Sequence, residues 1–294
     1  MMNFVSYKIK DDKSDIVTEI ANKYEKNVGK EHLPSDVTIS TMTISCHMDT
    51  KFKILEIGKY IDLDPSTIVS CKDGGGNIRT VLIQKKKRRN TKKKDEKKVT
   101  FYNQTSILVK PSKEKNPINI KLFKNGSIQM TGVKSVRDCI SALNILFRQL
   151  YKSKGIMYKN EIKIVDFVTS KEDLSIDKIK DFKICMINSG FKIGFKLNRD
   201  SLYKILSQDE SIKCKYDLDN HACVDVKYFY KERKKISIFI FEKGSIIITG
   251  ANNCNHIQEA YKYITSQLYK NYKKIKSIEP NIKINDIRNY LKSD

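Results

Sequence analysis

Hydrophobic and polar positions along the chain alternate with two different periods, and the switches between them mark the elements. Ile16, Val17, Ile20, Tyr24 and Val28 fall near one face of a helix over 14–28, which Ser14 or Asp15 can cap and Gly29 can end. Residues 37–46, VTISTMTISC, are rich in β-branched types and alternate, which predicts a strand. Phe52, Leu55, Ile57 and Ile61 then return at helical intervals until Pro65 stops them. Further on, VTFYNQTSILVKP, INIKLF and SIQMTG predict strands, with LF-KNG-SI as a hairpin, before a helix from about Ser135 to Tyr151. The connector over 152–180 holds one strand, EIKIVDFV. FKICMINSGFKIGF reads as a strand pair or one long strand, and RDSLYKIL as a short helix. HACVDVKYFY, KISIFIF and SIIITG read as three strands, and a helix from about Asn253 to Tyr272 carries Ile257, Ala260, Tyr261, Ile264 and Leu268.

The pattern repeats. Residues 121–151 align without a gap on residues 239–269 at a constant offset of 118, with ten of 31 positions identical. The shared positions include Phe123/Phe241, Gly126/Gly244, Ser127/Ser245, Ile128/Ile246, Thr131/Thr249 and Gly132/Gly250. Each half thus reads strand, helix, three strands, helix. Two such halves can join into one antiparallel sheet with the long helices on one face, because each helix needs an apolar surface to lie on. The other face is then open. A pseudo-two-fold protein with an open sheet face suits a ligand that is itself nearly two-fold, such as duplex DNA.

Charge adds to this picture. The 294 residues carry 57 Lys+Arg against 34 Asp+Glu, a net charge of +23. A polyanionic partner follows naturally, although an A+T-rich genome would also raise Lys, Ile and Asn. From Lys85 to Lys98 there are ten basic and two acidic residues, a net of +8. Such a run repels itself and buries no apolar surface, so it is expected to be a loop. Seven scattered cysteines form no CxxC pair and do not cluster with the four histidines. No metal or other cofactor is expected, and a reducing intracellular compartment is. No apolar run reaches the ~18 residues that a membrane helix needs, so no membrane partner is expected. The N-terminus MMNFVSYKIKDDKSD lacks the apolar core of a secretory signal. No G-x-S-x-G, Walker loop, HExxH or paired-carboxylate constellation appears, so the expectation is a protein that is not an enzyme.

The hairpin motifs LF-KNGSIQMTGVK (122–134) and IF-EKGSIIITGAN (240–252), with the opening strands VTISTMTISCHMD (37–49) and KDFKICMINSGFKIGF (180–195), resemble the TATA-box-binding protein (TBP) family. The resemblance spans roughly 36–275, and divergence with the Lys/Ile/Asn bias suggests a viral or protist member. It implies an α+β fold: a pseudo-two-fold saddle, one curved antiparallel sheet from two repeats with helices on the convex face. The implied organisation is an N-terminal extension (1–35) and repeat 1 (36–151, with a basic insertion over 66–98). A connector (152–180), repeat 2 (181–275) and a C-terminal tail (276–294) follow.

The resemblance also implies function. Proteins of the family sit on the DNA minor groove and wedge phenylalanines between base steps; minor-groove wedging by TBP is a standard example of how such proteins bend DNA. Carried over, Phe123 and Phe241 are hairpin wedges, and Phe101 is the other wedge of repeat 1. Its repeat-2 partner falls at His221, a departure from the family pattern. Thr131 and Thr249 match base-contacting threonines, Ile39 matches a concave apolar contact, and Ile247 is counted with the DNA-binding residues. Val37 and Met186 stand where the family has asparagines, with Asn188 two residues on as the substitute. Lys121 and Gln129 replace apolar concave residues, and each hairpin has Gly-Ser in place of Gly-Lys, losing two phosphate partners. The implied partners are A·T-rich promoter DNA, a factor-IIB-like protein and RNA polymerase. The implied setting is the nucleus or a cytoplasmic viral factory, with the chain acting as a monomeric pseudo-dimer. The competing expectations are a TBP-shaped protein scaffold with weak, sequence-blind DNA binding and, further off, an accessory module of a DNA-processing enzyme.

Overall fold

The computed structural model describes residues 13–82, 102–217, 222–231 and 233–277. The chain divides into two units. Unit 1 comprises Met1–Leu33, Ile39–Asn188 and Ala251–Asn255, and unit 2 Pro34–Thr38, Ser189–Gly250 and His256–Asp294. The elements in chain order are α1 (Lys13–Glu25), β1 (Thr38–His47), α2 (Ile54–Tyr60), β2 (Ile68–Lys72), β3 (Ile78–Thr80), β4 (Gln104–Val109), β5 (Ile118–Phe123), β6 (Ser127–Val133) and α3 (Val136–Leu150). There follow β7 (Lys154–Tyr158), β8 (Glu161–Val165), β9 (Lys180–Lys192), α4 (Arg199–Leu206), β10 (Lys213–Lys215), β11 (Cys223–Tyr230), β12 (Lys234–Phe241), β13 (Ser245–Ala251), α5 (Cys254–Lys270) and α6 (Tyr272–Ile275). The expected α+β class and repeated strand–helix–strands–helix order are both present.

In unit 1 the sheet runs β1-β6-β5-β4-β2-β3, antiparallel throughout. Alternate residues Ile118, Ile120 and Leu122 of β5 and Ile128 and Met130 of β6 are at most 2% exposed. They meet the predicted stripe of α3, where Cys139, Leu143, Leu146 and Leu150 are fully buried. Each such side chain contributes about 1.5–3 kcal/mol when taken out of water. The Ser135 side chain caps α3 by accepting from the Asp138 amide at 3.1 Å. Helix α1 lies against α3. The ring of Tyr24, in the last turn of α1, stacks on Phe182 at 4.0 Å.

Unit 2 repeats the plan with β10-β11-β12-β13 and the last four residues of β9. The Ser189 hydroxyl donates to the Ile248 carbonyl at 3.3 Å. Ile236, Ile238, Ile240, Ile246 and Ile248 are buried, as are Ile257, Ala260, Ile264 and Leu268 of α5. Tyr261, placed in the same stripe from sequence, sits at its margin, with its hydroxyl donating to Asp36 at 2.9 Å.

Two segments differ from the sequence reading, and a third settles between its alternatives. Ile68–Lys72, which falls within the stretch taken as an insertion, is a strand paired with both β3 and β4. It lacks an alternating pattern because Ile68, Val69 and Cys71 are all buried. The connector holds two strands rather than one: β7 and β8 form a separate ribbon around Lys159 and Asn160, both at positive φ. β9 is one long strand. The basic run 85–98 lies outside the described residues.

The hairpin glycines hold both units in register. Gly126 (φ +95°) and Gly244 (φ +78°) turn the chain, and their amides donate to the carbonyls of Phe123 (3.1 Å) and Phe241 (2.9 Å). Each glycine carbonyl then accepts from the segment after its unit's opening strand, Met48 N and Ile193 N, both at 3.0 Å. A Cβ would stand 2.3 Å from the Met48 carbonyl at Gly126 and 2.4 Å from the Phe195 carbonyl at Gly244. Gly126→Ala and Gly244→Ala are each expected to cost about 1–3 kcal/mol or more in urea unfolding. Gly76→Ala, with positive φ but no atom within 4 Å, should cost less.

Candidate nucleic-acid interface

Because the helices cover one side of each sheet, the residues between the buried positions share the open face. On unit 1 this face is rich in hydroxyl and amide groups. In β5 and β6, Asn119 sits opposite Thr131 and Lys121 opposite Gln129. Phe123 ends β5 half-exposed, opposite Gln104 of β4. On β1 the open-face residues are Ile39, Thr41, Thr43 and Ser45. Asn188 Nδ2 donates to Thr41 Oγ1 at 3.1 Å, and the Cys185 thiol to Ser45 Oγ at 3.2 Å.

The open face of unit 2 has the same frame with different chemistry. Ser237 sits opposite Thr249, and Phe239 opposite Ile247, which is 40% exposed. Phe241 ends β12 half-exposed, opposite Cys223. Lys227 on β11 donates to Ser237 Oγ at 3.0 Å and pairs with Asp225 at 2.7 Å, and its ammonium lies 5.0 Å from the Phe239 ring centre. The Asp225 carboxylate therefore neutralises this cation.

Seven of the ten residues singled out from sequence thus lie on open sheet faces: Ile39, Phe123, Thr131 and Asn188 on unit 1, and Phe241, Ile247 and Thr249 on unit 2. Val37 does not join them. It precedes β1 and is 3% exposed, so its side chain is packed rather than presented. Phe101 and His221 lie outside the described residues. Sequence reasoning missed the Lys227–Asp225–Ser237 group, because cross-strand register is needed to bring β11 and β12 side chains together. The available signal was Ser237, which stands 118 residues after Asn119. Among the described residues no group of three or more His, Cys, Asp or Glu is placed to hold a metal, and no helix is long and apolar enough to cross a membrane.

The cysteines divide by face. Burial pushes the Cys46 thiol up to about 12 and raises that of Cys139 well above its ordinary value. Cys185 and Cys223 are part-exposed. Alkylation at neutral pH, followed by peptide mass spectrometry, should mark Cys185 and, more slowly, Cys223, whose thiol partial burial raises, while Cys46 and Cys139 stay unmodified until the protein is unfolded.

Comparison with known proteins places the chain in a family. The family model described as transcription factor TFIID, or TATA-binding protein (TBP), matches residues 181–271. A TATA-box-binding protein-like protein of Acanthamoeba polyphaga mimivirus is 38% identical over 278 residues, covering 88% of this chain and 72% of that protein. The solved structure of Methanococcus jannaschii TBP aligns with a TM-score of 0.47 and 14% identity over 80% of this chain and 99% of that one. The chain belongs to the TATA-box-binding protein family, as a divergent member. The mimivirus likeness agrees with the viral side of the sequence expectation.

Proposed function

We propose that the protein is a transcription initiation factor that binds promoter DNA through the minor groove and bends it. Its open sheet faces supply the contacts, and α3 and α5 offer outward residues to a factor-IIB-like protein and an RNA polymerase. The observation that carries this reading is the double occurrence, at matching register, of a half-exposed phenylalanine at a hairpin end with a threonine on the neighbouring strand: Phe123 with Thr131, and Phe241 with Thr249. An apolar ring inserted between base steps replaces lost stacking, and the bend it imposes brings more protein surface to the DNA. The minor-groove edge of an A·T pair shows only acceptors, which suit small hydroxyl donors. The net charge of +23 supplies phosphate attraction, so affinity falls steeply with salt. The chain acts as a monomer whose two repeats stand in for a dimer, in a nucleus or a viral factory.

The serines at 127 and 245, in place of hairpin lysines, favour a second reading in which a TBP-shaped scaffold binds DNA only weakly and without sequence choice. Phe123→Ala and Phe241→Ala separate the two. Each should cost about 1–3 kcal/mol of DNA binding. The double variant should lose DNA bending in a fluorescence end-to-end assay on an A·T-rich duplex. Bending that survives the double substitution rejects the wedge assignment, and a wild-type protein that neither bends nor distinguishes duplexes supports the scaffold.

A further inference from the structure

The two open faces agree at their ends and differ in their middles. Asn119 opposite Thr131 on unit 1 corresponds to Ser237 opposite Thr249 on unit 2, and Phe123 corresponds to Phe241. Between these positions, unit 1 places Lys121 opposite Gln129, where unit 2 places Phe239 opposite Ile247. All four side chains project from β5, β6, β12 and β13 on the side away from the buried isoleucines, and none is buried. Lys121 has no ion-pair partner among the described residues, whereas Lys227 of unit 2 is held by Asp225.

In the minor groove this contrast has a chemical meaning. A·T and T·A pairs show only acceptors there, while a G·C pair adds the guanine 2-amino donor. Phe239 and Ile247 have no acceptor, so a G·C pair pressed against them would lose water from that amine and gain nothing in exchange. Gln129 can do the opposite. Its carbonyl oxygen can accept from the guanine amine, while its own amide N–H and the Lys121 ammonium donate to the flanking purine N3 or pyrimidine O2.

Building on the minor-groove reading above, we propose that the Lys121–Gln129 pair is a specificity determinant that selects a G·C pair in the half of the DNA site facing unit 1, while Phe239 and Ile247 restrict the other half to A·T. The recognised element is then asymmetric, and the asymmetry fixes the direction in which the protein sits on a ligand that is otherwise nearly two-fold.

Selection of bound sequences from random duplexes at physiological salt tests this, using the full chain, the double variant Lys121→Phe/Gln129→Ile and the milder Gln129→Leu. Circular dichroism confirms that the variants fold; both positions lie on the open face, outside the core. The wild-type protein should enrich an A·T-rich element with a G·C pair in one half only. Both variants should reduce the preference for that G·C pair by about tenfold, because they leave the guanine amine without an acceptor. An A·T consensus without a favoured G·C pair would overturn the assignment and leave minor-groove binding standing. A G·C preference unchanged in Gln129→Leu would overturn it as well. No enrichment with the wild-type protein would overturn both this inference and the function on which it rests.

Discussion

The main sheet of each unit is sealed by helices on one side, and most of the molecule follows from that constraint. Where β5, β6, β12 and β13 lie under α3 or α5, alternate residues must be apolar, and those residues are isoleucine, leucine or methionine with at most 2% exposure. The residues between them are thereby committed to the other face. A one-residue slip of β5 against α3 would carry Asn119, Lys121 and Phe123 into the core and turn three buried aliphatic side chains outward. At about 1.5–3 kcal/mol for each lost burial, and more for a lysine forced inside without a partner, that slip is closed. Gly126 and Gly244 reinforce the register, because only a residue without Cβ lets the hairpin lie against the carbonyls of Met48 and Phe195.

Net charge plays a smaller part in the site than its size suggests. The +23 excess is consistent with a polyanionic partner, but eight of those charges belong to the run 85–98, outside the described residues. On the open face of unit 2, Lys227 is offset by Asp225. Overall charge sets attraction to any polyanion, whereas the local chemistry of the open faces is dominated by hydroxyl, amide and phenyl groups placed by strand register.

Much of the fold was legible because its strongest signals are periodic. The α3 and α5 stripes and the FxxGSIxxTG hairpins have unmistakable periods, and the 118-residue offset fixed which residues correspond. What the chain hid lacks a period. β2 is buried along nearly its whole length and shows no alternation. β7 is a short, exposed strand whose Met157 is 71% exposed, so no amphipathic pattern marks it. In the site, Phe123 and Thr131 could be named from the motif, whereas the contacts of Lys227 with Asp225 and Ser237 depend on pairing between β11 and β12. Val37 shows the reverse failure: alignment with a family position assigned it a contact, but it stands before β1, packed and 3% exposed.

The duplication separates what folding requires from what it does not. At the core positions the repeats need only match in kind, and they do: Ile118/Ile236, Ile120/Ile238, Leu122/Ile240 and Met130/Ile248 are apolar pairs of similar volume. Open-face positions carry no packing requirement, and three of them have diverged: Asn119/Ser237, Lys121/Phe239 and Gln129/Ile247. On the same unconstrained face, Phe123/Phe241 and Thr131/Thr249 are nonetheless identical. A half-exposed phenyl ring at a hairpin end adds little to the stability of either unit, so packing does not account for its presence twice. The retained pairs and the diverged ones therefore both lie outside what packing within either unit requires.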